Sequence, residues 1–359
     1  MGFAGPAAIY QSACTAARRK AALPWYKILI SGFMAGVYIA VGGTVATRTA
    51  GDLLGFSSPT SIYPLPGLQR FIFGGLFPVG LMLVIFHGAE LWTGNTMMCI
   101  FHLLNFDRKK EKFSSVVLGW CKNWFWCYIG NFCGSVAFAF FCCYLTGLYD
   151  ADPVKSYVMT IAYNKSTTAF YKLFFRAIGC NWLVCLAVLG ALAADDIGSK
   201  IGAIWFPIQT FATIGYEHSI ANMFFCPLGL MLGANTTFWM WLGNNLVSVT
   251  LGNLVGAMLF VGLTYPFLHG TWSFQSAAPV AASPSAEKDK EHAAGETKAA
   301  PSPAPATSDL HEDPHEDHAP ITPNPLISQP ASPAPALATS AAPSASTTSA
   351  PSLVSAPSL

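Results

Sequence analysis

Six long apolar stretches run along the chain, at 27–47, 68–104, 116–148, 168–194, 199–234 and 240–270, with short polar or charged connections between them. A helix needs about 20 mostly apolar residues to cross a hydrocarbon core, so each stretch is predicted to span a membrane. The second and fifth are too long for one simple span. Each is interrupted near its middle by glycine and polar residues, AELWTGNTMM at 89–98 and GYEHSIANMFF at 215–225. Backbone can leave the helix at membrane depth only where protein or a water-lined cavity surrounds it. Both interruptions therefore predict broken helices.

The two interruptions repeat a pattern. Glu90 stands five residues before Asn95, and Glu217 five before Asn222; Met97 and Met223 follow closely. The next span then carries GNFCG (130–134) in one half and GNLVG (252–256) in the other, paired glycines that permit close helix approach. Each unit contains three spans. An odd number makes the second copy enter from the opposite side, giving an inverted repeat whose transport site lies near the midplane, where the broken helices meet. The expected fold is all-α: six transmembrane helices as two inverted three-helix repeats, with helices two and five broken.

Lys20 precedes the first span and Lys165 the fourth. With the repeat, each lysine approaches the glutamate of its own half, and pairing lets both charges persist at partial burial. Asn95 and Asn222 are then placed to hydrogen-bond the glutamates and the freed backbone. The plainer reading keeps Lys20 as a topology signal and Lys165 as a solvated loop charge. His218 has no counterpart, since Leu91 occupies the equivalent position. An imidazole titrates near neutrality and both donates and accepts hydrogen bonds, so His218 at a breakpoint is the prime candidate for a substrate contact, with Thr93 as the hydroxyl of the opposite loop. His87 and His102 are expected to be structural or interfacial. Phe77, Leu81, Leu91, Trp92, Val184 and Phe211 supply bulk for a narrow apolar neck.

Composition agrees with a membrane protein: 53% of the 359 residues are hydrophobic, only 10% are charged, and the net charge of +1 gives no sign of nucleic-acid binding. Residues 1–26 form an amino-terminal segment, 27–274 the six-span domain, and 275–359 an Ala/Pro/Ser/Thr-rich tail expected to be disordered. The tail's HEDPHEDH (311–318) reads as a solvated acidic segment rather than a metal site. The 10 cysteines lie mostly in apolar runs and are expected to be buried thiols. Positive residues flank the first span (Arg18, Arg19, Lys20, Lys27) and fill the 105–115 loop (Arg108, Lys109, Lys110, Lys112), which places both termini in the cytoplasm despite Lys155 and Lys165 on the other side. No nucleophile–base pair, metal cluster or phosphate loop is evident, so neither enzymatic activity, nor a cofactor, nor a metal is expected.

Together, LFPVGLMLV, ELWTGNTM, GCNWLVCLAV, GYEHSIANM and LGNLVGA resemble the formate-nitrite transporter family over about residues 17–270. The wording of GCNWLVCLAV and GYEHSIANM is most similar to the apicomplexan branch, which exports lactate with protons. The resemblance implies an aquaporin-like protomer in a homopentamer embedded in the lipid of a plasma membrane. It implies His218 as the central pore histidine and Thr93, Gly94 and Asn95 as the loop facing it. It implies Lys20–Glu90–Asn95 and Lys165–Glu217–Asn222 as vestibule relays, and Phe77, Leu81, Leu91, Val184 and Phe211 as constrictions. Trp92, where many members have Phe, and Leu81 depart from the pattern. The implied cargo is a small monocarboxylate (lactate, formate, pyruvate or acetate) carried with a proton. The alternatives are a formate or nitrite channel without obligatory proton coupling, and an aquaporin-like pore for neutral solutes, against which the missing Asn-Pro-Ala loops count.

Overall fold

Long apolar runs give long helices, and the two interruptions that bring charged and polar residues to the middle of a run give breaks. The computed structural model describes residues 4–53 and 66–270. Helix α1 (Pro6–Ala22) precedes α2 (Trp25–Asp52); α3 (Pro66–Leu76) and α4 (Val79–Phe86) descend to the first break, after which come α5 (Trp92–Asn105) and α6 (Phe113–Ala137), the last continuing as a π-helical turn over Phe138–Tyr144. The second half repeats the series. It has α7 (Val154–Thr167), α8 (Phe170–Ala193), α9 (Ile197–Ile214), the second break, α10 (Ser219–Met231), and a final span built from α11 (Phe238–Met240), α12 (Val247–Ala257) and α13 (Thr264–His269) with π-helical turns between them. Five helices among the described residues are long and apolar enough to cross a membrane: Trp25–Asp52, Pro66–Phe86, Phe113–Tyr144, Phe170–Ala193 and Phe238–His269. The fifth predicted span, 199–234, is divided between α9 and the shorter apolar α10. The all-α inverted repeat with two broken helices is therefore present as expected.

Two helices lay outside the expected spans. α1 occupies the amino-terminal segment and α7 the 149–170 connection. Both are too short and too polar to read as spans, yet each packs an apolar face: Tyr10, Ala13 and Ala17 on α1, and Val154, Val158 and Ala162 on α7, are buried. They occupy equivalent places in the two halves, and each carries its lysine near its carboxyl end.

The glycine pairs work as packing devices. A Cβ on Gly134 would clash with the Phe33 carbonyl, and one on Gly256 with that of Ile178, so α2–α6 and α8–α12 approach backbone to backbone. At the second break Gly215 adopts φ 79°, the left-handed conformation that ends α9; Gly88, at φ 64°, does the same in the first break. Asp196 caps the start of α9 by accepting from Ser199 N at 2.9 Å, a bond that holds its carboxyl below the usual range. The 10 cysteines are all free thiols. The 275–359 tail, including HEDPHEDH, lies outside the described residues.

Candidate functional site

Each break is built from one repeated set of hydrogen bonds. In the first, Lys20 Nζ donates to Glu90 Oε1 at 2.7 Å, and Asn95 Nδ2 donates to Glu90 Oε2 at 2.7 Å and to Asn123 Oδ1 at 3.0 Å. In the second, Lys165 Nζ donates to Glu217 Oε2 at 2.8 Å, and Asn222 Nδ2 to Glu217 Oε2 at 2.8 Å and to Asn245 Oδ1 at 2.9 Å. The amides of Asn123 and Asn245 then reach back to the carbonyls of Lys20 and Lys165. Both glutamates are 4% exposed. A buried carboxylate persists where a cation and further donors surround it, and here each has both. The lysines therefore pair with the glutamates and are not mere topology or loop charges.

The freed backbone is satisfied by residues other than those expected. Asn131 Nδ2 donates to the carbonyls of Glu90 (2.9 Å) and Gly32 (2.8 Å), and Asn131 Oδ1 accepts from Trp92 N at 2.9 Å. Asn253 repeats this with the carbonyls of Glu217 (2.9 Å) and Ala177 (2.9 Å) and with Ser219 N (2.8 Å). The side chains of Asn95 and Asn222 bond the carboxylates and the amides of Asn123 and Asn245, not the freed backbone. The stitching asparagines are those of GNFCG and GNLVG, read from sequence only for their glycines. A signal was available: Asn123 and Asn245 stand eight residues before Asn131 and Asn253, and both glutamates follow a Gly-x pair, Gly88-Ala89 and Gly215-Tyr216.

Where the halves meet, the symmetry ends. His218 occupies the N-cap of α10, its Nδ1 accepting from Ala221 N at 3.1 Å. An accepting nitrogen carries no proton, so the ring hydrogen sits on Nε2, which donates to Thr93 Oγ1 at 2.9 Å. Both residues are buried. Phe211 stacks on the imidazole at 6.0 Å between ring centres, 20° from parallel. Leu91, at the equivalent position, is the N-cap of α5 and has no side-chain bond to offer. Asn181 on α8, missed in the sequence, donates to the carbonyls of Thr93 (3.2 Å) and Asn253 (2.8 Å). Asn181 Oδ1, Ser219 Oγ and Asn222 Oδ1 are buried without a partner among the described residues.

Two cavities lie near this contact, the first reaching His218 and the second reaching Leu91 and Gly94, while Thr93 lines neither. One, of about 480 Å³, is lined by Lys165, Glu217, Asn222, Phe77, Phe211 and His218 among others. The other, of about 270 Å³, is lined by Lys20, Glu90, Asn95, Gly94, Leu81 and Leu91. Phe77 and Phe211 meet edge to face at 5.9 Å, and Leu81 and Leu91 are each 3% exposed. Each side thus has a charged vestibule narrowing to an apolar floor. Val184 is buried on α8 and lines neither vestibule. Trp92 departs from its expected place in the neck: its ring packs on Tyr128 (5.2 Å) and Trp124 (6.2 Å), filling the space between α5 and α6. His102 is buried and structural, accepting from Trp120 Nε1 at 3.2 Å and facing Glu111 at 3.2 Å.

Residues 7–267 match the formate/nitrite transporter family. A probable formate transporter of Methanothermobacter thermautotrophicus is 40% identical over 277 residues, covering 73% of this chain and 96% of that protein. Formate-nitrite transporter 3 of Toxoplasma gondii is 35% identical over 242 residues, covering 67% and 46%. These identities do not single out the apicomplexan branch. In three dimensions the chain is similar to a solved pentameric formate channel with formate bound, with a TM-score of 0.57, 29% identity, and coverage of 68% of this chain and 97% of the channel.

Proposed function

Since the chain belongs to the formate/nitrite transporter family of integral membrane proteins, we propose that it carries small monocarboxylates together with protons, each subunit of a homopentamer holding its own pathway. The observation that carries this reading is the Thr93–His218 contact, buried between two vestibules that each present a lysine to the incoming anion and an apolar floor beyond it. The lysines raise the local anion concentration. Entering the floor strips water from the carboxylate and raises its pKa, so the substrate takes a proton and crosses as the neutral acid. Thr93 and His218 offer it a hydroxyl and an N–H. Formate, lactate, pyruvate and acetate fit this chemistry, with lactate export as the physiological direction. The orientation follows the Lys/Arg distribution, with Lys20 on the cytoplasmic side of a plasma membrane and Lys165 outside.

The test is uptake of formate, lactate and nitrite into proteoliposomes at two external pH values with the inside pH fixed. Uptake rises as external pH falls, and collapse of the proton gradient abolishes accumulation. The second reading, an anion channel without obligatory coupling, is favoured by the names of relatives such as a formate channel of Bacillus thuringiensis, 36% identical over 265 residues. It predicts pH-independent flux and a reversal potential set by the anion alone.

A further inference from the structure

The vestibule of Lys165 holds two further cations, Arg70 on α3 and Arg176 on α8. Both are exposed to its solvent, and neither has a carboxylate partner among the described residues. The acid lining this cavity is Glu217, already engaged by Lys165 and Asn222. The vestibule therefore carries a surplus of positive charge that no group among the described residues neutralises.

The repeat shows what is special about Arg176. Asn131 binds the Gly32 carbonyl and Asn253 that of Ala177, so the preceding residues, Ser31 and Arg176, are equivalent. Ser31 is spent on the structure of its own break, its Oγ accepting from Glu90 N at 3.0 Å. The second break has no such bond, and an arginine stands there instead. The Lys20 vestibule is lined by Arg19 and Lys200. Both vestibules are cationic, but among the described residues this one is lined by two guanidinium groups, from different helices, where the other is lined by one, Arg19. A guanidinium is always charged and presents a planar fork that matches a carboxylate two bonds at a time, unlike the point charge of lysine. Arg70, Phe73 and Phe77 follow one another at helical spacing along the cavity wall, so the first lies about 10 Å along the axis from the neck, at 1.5 Å rise per residue.

We propose that Arg70 and Arg176 form a docking station for a small planar oxyanion, a carboxylate or nitrite, at the mouth of the Lys165 vestibule, ahead of Lys165 and the Phe77–Phe211 neck. The station rests on the transport reading above and deepens it. The anion is captured while still charged, passed to Lys165, and neutralised only at the neck. Both vestibules carry three cations against one glutamate, so what sets this face apart is capture by the guanidinium groups and not a larger charge.

The experiment uses the full chain in proteoliposomes sorted by insertion direction, with formate as probe, at low and at high salt. In R70Q/R176Q the half-saturating formate concentration for entry from the Lys165 face rises about 3- to 10-fold, more than the maximal rate falls, while entry from the Lys20 face keeps its half-saturation. R70K/R176K restores the salt-dependent part but not the remainder, because the fork is gone. Equal half-saturation in wild type and R70Q/R176Q overturns the station. Binding of radiolabelled formate to the purified protein separates the two claims: a wild type that binds formate through the arginines but does not transport it keeps the station and overturns the transport reading.

Discussion

His218 serves two masters, the α10 backbone and Thr93, and its two ring nitrogens are thereby assigned. His218→Ala removes both bonds; it is expected to abolish most formate flux and to cost about 1 kcal/mol through the lost cap. His218→Asn keeps a capping side chain but is too short for Thr93. It should melt like the wild type in detergent and still fail to transport, which separates the two roles. Thr93→Ser retains the hydroxyl and most flux, whereas Thr93→Val loses it; equal flux in the two would remove Thr93 from the pathway. His218 was legible in the sequence because an ionisable residue interrupts an apolar run where the other repeat has Leu91. Trp92 was misplaced for the opposite reason: an aromatic beside a break looks the same whether it fills a neck or a helix interface, and only the neighbouring Tyr128 and Trp124 decide.

At the scale of elements, each break depends on an asparagine from the following span. Asn131→Ala strands the Trp92 N–H and leaves the Glu90 carbonyl only the weak Cys127 thiol donor, and Asn253→Ala strands the Glu217 carbonyl and the Ser219 N–H. Each buried orphan group costs about 1–3 kcal/mol, so both variants should lower the melting temperature in detergent by similar amounts. A large loss in one and none in the other would show that the halves are not built alike. The breaks themselves could be read from glycine and polar residues in overlong apolar runs. Their stitching is harder to read, because GNFCG and GNLVG are dominated by glycines with an evident packing role, and only the eight-residue spacing from Asn123 and Asn245 marks the asparagine between them. α1 and α7 were invisible as helices because their apolar faces are short and interrupted by polar positions, and their order comes from packing on the bundle.

For the whole molecule, the matched halves make a joint demand. Glu90→Gln and Glu217→Gln each leave a partly buried lysine without its counter-charge, and each should impair flux while expression persists; a silent Glu90→Gln beside an inactive Glu217→Gln would confine the relay to one side. Termination after Ser276 is expected to leave pentamer assembly and formate uptake intact, as read by size-exclusion chromatography and flux. A final consequence follows from the way Asn253 fastens the carbonyls of Ala177 and Glu217 and the Ser219 N–H together, with Asn131 doing the same across the membrane. With the walls of the passage riveted, the motion expected during transport is rotation of the side chains at the two apolar floors, Phe77, Phe211, Leu81 and Leu91, about their own bonds. Such rotations are faster than the rocking of whole helices. Cargo should then slip through as through a turnstile, at a rate little affected by bilayer thickness or stiffness.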